Sequence, residues 1–345
     1  MYKSQINEIN LSLKHTKKAI ITIGCSFAQG QGAVNQELYD NYTWEYIEGT
    51  PLSIQTTTKQ RKKILKAYDS VFEKGGLLDF SLMEYDNSYV SVLCNKFFEK
   101  EYTPINLGLR GCGNRGSIKE LYMYPEIDWH LMEEIIVIYL PSGLERFDFI
   151  NDEATDHFNW KCMWPNSNPS NELPVSSLWK GYGDTVYSDK FSVLEQIAHV
   201  QELETWCKYK NAKLIVTTGF DRRYDKDFFY NSLTTHIDRD HNQVIQTEKT
   251  PLLRGLGSKH PSDKSHLIDL FPWDKMFKPN GYETFADLAI SMEDTLEDTT
   301  DHYFQFLGKG SPEGWITSCS HPSQKSHDLF ANHLYKHIVE NKIDG

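Results

Sequence analysis

The chain has 345 residues, enough for one large α/β domain with insertions or for two small ones. Its 39% hydrophobic and 24% charged residues suit a soluble globular class, and its 8 Trp, 19 Tyr and 18 Phe can fill a core and still line a groove. A net charge of −12 argues against nucleic acid as a partner, because an acidic chain repels phosphates. The basic run Lys59-Gln60-Arg61-Lys62-Lys63 reads as a solvated helix face.

No apolar stretch reaches the length of a membrane span, and Met1 to Lys18 has no signal-peptide core. Cys25, Cys94, Cys112, Cys162, Cys207 and Cys319 lack CxxC spacing and read as reduced thiols. The expected location is therefore the cytoplasm, with no membrane partner. A virion component assembled there would look the same.

In chain order, Lys17-Lys18-Ala19-Ile20-Ile21-Thr22-Ile23-Gly24 predicts a central parallel strand, because a β-branched run follows a charged start. It ends in the glycine-punctuated turn Gly24-Cys25-Ser26-Phe27-Ala28-Gln29-Gly30-Gln31-Gly32. Residues 31–87 read as an insertion with helix near 57–74. Asn87-Ser88 should cap a helix over Tyr89 to Lys100 with Val90, Leu93, Phe97 and Phe98 on its apolar positions. Thr103 to Gly108 predicts a second strand, followed by a turn and a helix to Tyr124. Glu134 to Leu140 is the clearest buried strand in the chain. An irregular stretch, 145–188, reads as a second insertion.

Helical periodicity runs from Asp189 to Lys210, and Ala212 to Gly219 is a fourth buried strand. Residues 221–310 are weakly periodic and read as a third insertion. A last helix spans about 324–341. Strands alternating with helices imply a parallel sheet covered on both sides, with ligands at the carboxyl ends of the strands.

Ser26 stands at a strand-to-helix turn on that edge. A hydroxyl is a weak nucleophile and needs an adjacent base, usually histidine. The blander alternative is that Ser26 only caps the following helix. Gly24, Gly30 and Gly32 do not make GxGxxG, and no GxxxxGK[ST] occurs, so a phosphate-cradling loop has little support.

His321 precedes Pro322, which disfavours helical geometry at the histidine, so its ring sits on a loop, with Ser323 placed to cap the last helix. A loop histidine at the mouth of a sheet is a general-base candidate, though the chain has 13 histidines. The segment His260-Pro261-Ser262-Asp263-Lys264-Ser265-His266 nearly repeats residues 321–327. His260 is therefore the competing base. His321 is preferred because its copy leads into a clean amphipathic helix. The pairs His236/His241 and His260/His266 lack the i, i+4 spacing of a helical metal site, so neither a metal nor a cofactor is expected.

Together these fragments resemble the SGNH (GDSL-like) hydrolase superfamily. Its first block, Gly-Asp-Ser-Φ, reads here Gly24-Cys25-Ser26-Phe27. Its second, Asn-x-Gly-x-x-Gly, reads Asn106-Leu107-Gly108-Leu109-Arg110-Gly111. Its last, a histidine commonly followed by proline before the final helix, reads His321-Pro322. The GCSF form is similar to divergent members often encoded by phages.

The resemblance implies a single domain over 1–345: a three-layer α/β/α sandwich with a central parallel sheet, flavodoxin-like, carrying the three insertions. It implies an acyl-ester hydrolase or acyltransferase in which Ser26 attacks the carbonyl and His321 moves the proton. Backbone N–H groups of Ser26 and Gly111 would hold the oxyanion.

Three departures accompany the likeness. Cys25 replaces the aspartate before the serine. The third block, Gly-x-Asn-Asp, is replaced by Gly143-Leu144-Glu145-Arg146, which removes the oxyanion-hole asparagine and leaves Asn114 or Arg146 as substitutes. Ser318 stands where the family's acid lies, three residues before the histidine. Ser318 could orient the ring, or an acid such as Asp301 or Glu313 could fold in.

Two functions follow. One is a serine esterase or deacylase acting on an acyl-ester small molecule or an O-acylated carbohydrate, with Trp44, Trp160, Trp164 and Trp179 available to stack on sugars. The other is a degenerate SGNH scaffold used for binding, with virion or homo-oligomer contacts.

Overall fold

The computed structural model describes residues 3–33, 84–109, 112–151, 159–163, 188–234, 265–293, 311, 313–317 and 321–343. The predicted helix near 57–74 lies outside them. So do His236, His241, His260, Gly111, Ser318, Cys319, Asp301, Trp44, Trp164 and Trp179.

Four strands form one all-parallel sheet: β1 (Lys18–Gly24), β2 (Thr103–Asn106), β3 (Glu134–Leu140) and β6 (Lys213–Val216). Their order is β2-β1-β3-β6. β1 is central, with Ile21 paired to Ile105 on one side and to Val137 on the other. Both neighbours and both faces are apolar, which is why this strand reads as an uninterrupted hydrophobic run.

Alternate residues feed two separate cores. Ala19, Ile21, Ile23, Val137 and Tyr139 enter one cluster. It is completed by Ile6, Ile9 and Leu13 of α1 (Lys3–Thr16) and by Val193, Ile197, Val200 and Leu203 of α5 (Asp189–Lys210). Ile20, Ile136, Ile138, Leu140 and Ile215 enter the other, against Tyr89 and Val90 of α3 (Tyr89–Val92) and Phe330, Ala331, Leu334 and Ile338 of α8 (Gln324–Glu340). The period of two in the strands meets periods of three and four in the helices. Truncating any of these aliphatic side chains to alanine costs about 2–5 kcal/mol.

Several sequence expectations change here. The helix expected over Tyr89 to Lys100 is α-helical only to Val92 and continues as a π-helical turn over Leu93–Phe97. Ser88 is its N-cap residue, but its hydroxyl donates to Tyr85 O at 2.7 Å instead of capping. Ser323 likewise precedes α8 without a side-chain cap, its hydroxyl buried and without a partner among the described residues. The strands end sooner than expected, β2 at Asn106 and β6 at Val216.

The helix expected after β2 is α4 (Asn114–Lys119) with a 3-10 turn over Glu120–Tyr122. Within the stretch 145–188 stands an antiparallel hairpin, β4 (Phe147–Asn151) and β5 (Asn159–Met163). Within 221–310 are α6 (Lys226–Thr234), which buries Phe229 and Leu233, and α7 (Phe285–Ile290). Cys25, Cys94, Cys112 and Cys207 are buried free thiols. Among the described residues no helix is long and apolar enough to cross a membrane.

Candidate active site

The site starts where β1 ends. Gly24 has φ +142° and lies so close to β3 that a Cβ there would sit 2.0 Å from Leu140 O. Only glycine meets both conditions. The chain then turns, Cys25 N–H donates to Leu140 O at 3.4 Å, and the short helix α2 (Ser26–Gln29) begins with Cys25 at its N-cap position. Burial pushes the Cys25 thiol up, opposed by the Arg146 charge and by nearby backbone N–H groups. It is held as a buried neutral thiol in the residue before Ser26.

Ser26 follows, 8% exposed. Among the described residues its N–H has no acceptor. An N–H at the first turn of a helix has no intrahelical partner, so it is available to a developing negative charge.

The second element is the turn after β2. Asn106 is buried and its side chain ties this turn to the first: Nδ2 donates to Gln29 O at 3.0 Å and Oδ1 accepts from Gly108 N–H at 3.0 Å.

The third element is the loop before α8. Thr317 N–H and Oγ1 both donate to His321 O, at 2.8 and 2.9 Å. Ser323 N–H donates to Trp315 O at 2.9 Å. Buried Glu293 receives Glu313 N–H at 2.9 Å and Trp315 N–H at 3.2 Å.

Gly32, with φ +86°, brings the end of the Ser26 turn against this loop. A Cβ there would lie 2.8 Å from Pro322 O and 3.0 Å from His321 Cβ. Gly32 N–H is fixed by Glu84 Oε1 at 3.0 Å, and Glu84 is 1% exposed.

These constraints bring Ser26 Oγ and His321 Nε2 to 2.7 Å, although the residues are 295 apart in the chain. The imidazole also packs on Phe27, with ring centroids 5.1 Å apart, and Phe27 packs on Phe220 at 5.3 Å. One turn into α8, His327 is fully buried with its ring parallel to Tyr89. Its Nδ1 accepts Tyr89 N–H at 3.2 Å, so that nitrogen is unprotonated. Burial lowers its pKa to about 3, helped by the neighbouring His321. His327 therefore backs the site as a neutral ring.

Asn114 does not stand as a spare oxyanion donor. Its Nδ2 donates to Tyr224 OH at 2.9 Å and Ser142 O at 3.4 Å, while Oδ1 accepts from Ser142 N–H at 2.6 Å and Tyr139 OH at 3.2 Å. Its whole hydrogen-bonding capacity is spent on joining β3 to α4. Glu313 is exposed, with its backbone on Glu293 and Lys325. Gly111, Ser318 and the competing base His260 lie outside the described residues. Sequence reasoning passed over Glu84, Glu293, Thr317 and His327. The first three act through backbone groups, and no motif announces that.

Among the described residues no group of three or more His, Cys, Asp or Glu side chains is arranged to hold a metal ion. Ser26 offers a hydroxyl and an N–H without an acceptor among the described residues, and His321 offers an imidazole nitrogen in hydrogen-bond contact with that hydroxyl. That set can attack a carbonyl and hold the charge that results. No family model matches the chain, and the comparisons with curated proteins and with solved structures gave no match.

Proposed function

We propose that the chain is a serine-dependent acyl-ester hydrolase on a three-layer, flavodoxin-like SGNH scaffold. The observation that carries this reading is the 2.7 Å contact between Ser26 Oγ and His321 Nε2 at the carboxyl edge of a parallel sheet. The strand order β2-β1-β3-β6 supports it, because β1 and β3 flank the point where the order reverses. Ligands of doubly wound sheets bind at that crevice. Two cores on opposite faces of the sheet support the layered reading.

In the mechanism, His321 Nε2 takes the Ser26 proton as Oγ bonds to the ester carbonyl carbon. The carbonyl oxygen becomes an oxyanion beside the Ser26 N–H. The tetrahedral species collapses, the carbon–oxygen bond to the alcohol breaks, and His321 returns the proton to the departing alkoxide. Water, deprotonated by the same nitrogen, then releases the acid and restores Ser26. Gly111 is the second oxyanion donor in this reading and Ser318 the group that orients the ring. Both roles rest on the SGNH resemblance.

The test is steady-state hydrolysis of 4-nitrophenyl acetate by the wild type, Ser26→Ala and His321→Ala. Each variant is expected to lose about 10³-fold or more in kcat. Equal turnover in all three would remove the dyad. A second reading, a degenerate SGNH scaffold retained for binding in a virion or an oligomer, draws on one finding: Asn114 has no donor left for an oxyanion. An inert wild type would favour it.

A further inference from the structure

We propose that Asp148, on the β4–β5 hairpin, is a positioning residue: its carboxylate clamps the segment after β2 onto the last residue of β1 and so fixes where that segment lies relative to Ser26. The inference rests on the esterase reading for its effect on catalysis and on hydrogen-bond geometry alone for the clamp.

The need for a clamp begins at α4. Its N-cap residue is Gly113, which has no side chain to cap with. The first N–H groups of a helix have no intrahelical acceptor. Asp148 supplies the acceptors from 32 and 35 residues further along the chain: Oδ2 takes Gly116 N–H at 2.7 Å and Oδ1 takes Gly113 N–H at 2.6 Å. These are the two donors that a capping box satisfies locally. Here both go to one carboxylate on another element. A Cβ on Gly113 would lie 2.7 Å from Asp148 Oδ2, so glycine is what lets the acid come this close.

Asp148 is 3% exposed. Burial raises its pKa, opposed by the Gly116 and Gly113 N–H groups and by the charges of Arg146 and Arg115. A carboxylate that gives up its water is held by charge-assisted bonds of this kind. Arg146, the residue before β4, adds a third grip, its Nη1 donating to Cys112 O at 3.2 Å. The approach to the hairpin and the hairpin itself thus hold the consecutive groups Cys112 O and Gly113 N–H.

The same segment is tied to the Ser26 turn. Leu109 N–H donates to Gly24 O at 2.9 Å. Cys112 Sγ lies 3.6 Å from that oxygen and 3.0 Å from Leu109 O. Leu109 and Cys112 therefore converge on Gly24, two residues before Ser26. Gly108 lies against α2, where a Cβ would come 2.3 Å from Gln29 N and 2.6 Å from Ala28 C. The segment is held between the hairpin on one side and the helix that starts at Ser26 on the other. In the esterase reading it carries the second oxyanion donor, and a misplacement of about 1 Å at such a site costs about 10²-fold in rate.

The blander alternative is that Asp148 only keeps α4 folded, which predicts lost stability with kcat intact. The experiment measures kcat and KM on 4-nitrophenyl acetate for the wild type and Asp148→Asn, which keeps the shape but turns an NH2 towards one of the two N–H groups. The expected result is kcat lower by about 10²-fold with KM changed by less than about twofold. Ser188→Ala, which removes the side-chain cap of α5, is the structural control and should lower the melting temperature without lowering kcat. Arg146 is partly exposed, so Arg146→Gln loosens the same grip should Asp148→Asn fail to fold, with kcat expected about 10-fold lower. Hydrogen exchange reads the clamp without activity. The Leu109 amide should exchange about 10-fold faster in the variant, while Leu107 N–H, bonded to Thr22 O at 2.8 Å, stays protected. An inert wild type with that faster exchange removes the esterase reading alone. Unchanged kcat in the folded variant, or unchanged Leu109 exchange, overturns the proposal.

Discussion

The two halves of the dyad are held in different ways. The Ser26 turn belongs to the sheet. Gly24 touches Leu140 O, Cys25 N–H donates to that oxygen, and the residues up to Ala28 are buried. The histidine loop is not part of the sheet. It is pinned by Glu293, by Thr317 on His321 O, and by the close approach of Gly32. Damage to the first half should therefore appear in stability, and damage to the second chiefly in activity.

Gly24→Ala breaks the comparison most severely. A methyl group 2.0 Å from Leu140 O cannot be relieved without moving β1 from β3. The expected loss exceeds about 4 kcal/mol, read as a collapse of the urea midpoint. A normal midpoint would show that the turn is not fixed by the sheet.

Gly32→Ala probes the other half. The left-handed backbone costs an alanine about 1–2 kcal/mol, and the new methyl meets Pro322 O and His321 Cβ. Displacing the ring by about 1 Å should lower kcat about 10²-fold. Activity should thus fall further than the melting temperature suggests. Unchanged kcat would show that Gly32 does not position His321.

A smaller effect comes from pH. His327 has a folded pKa of about 3, below the usual 6.5, so the native state favours its neutral form. Its stabilising contribution is complete above pH 6.5 and declines as pH falls from there towards 3. Between pH 7 and pH 5 the loss should be about 2 kcal/mol. His327→Asn, which keeps an acceptor for Tyr89 N–H, should flatten that slope in urea titrations at the two pH values. Identical slopes would assign the acid sensitivity elsewhere.

The same division explains what the sequence disclosed. β1 and β3 were legible as β-branched runs because burial on both faces imposes one composition along the whole strand. α5 was legible because its periodicity spans 22 residues, although the Ser188 cap that starts it went unread. By contrast, α1 carries its signal only in Ile6, Ile9 and Leu13, hidden among charges. The hairpin of β4 and β5 sits in a stretch whose Trp, Asn and Pro content suggests a loop.

The contact of Ser26 with His321 was legible because a serine after a strand and a loop histidine before the last helix belong to the same sheet edge. Glu84 and Glu293 were not, because any acid in any insertion can accept a backbone N–H. Only the folded chain shows which acids arrive.

The central claim is that His321 activates Ser26. Intact-mass measurement of the chain after treatment with a fluorophosphonate tests it most directly, because the reagent bonds only to an activated hydroxyl. The account predicts one adduct on the wild type, mapped to Ser26 by peptide sequencing. It predicts none on Ser26→Ala and labelling slowed by about 10³-fold or more on His321→Ala. An adduct on another serine, or equal labelling of the wild type and His321→Ala, would contradict it.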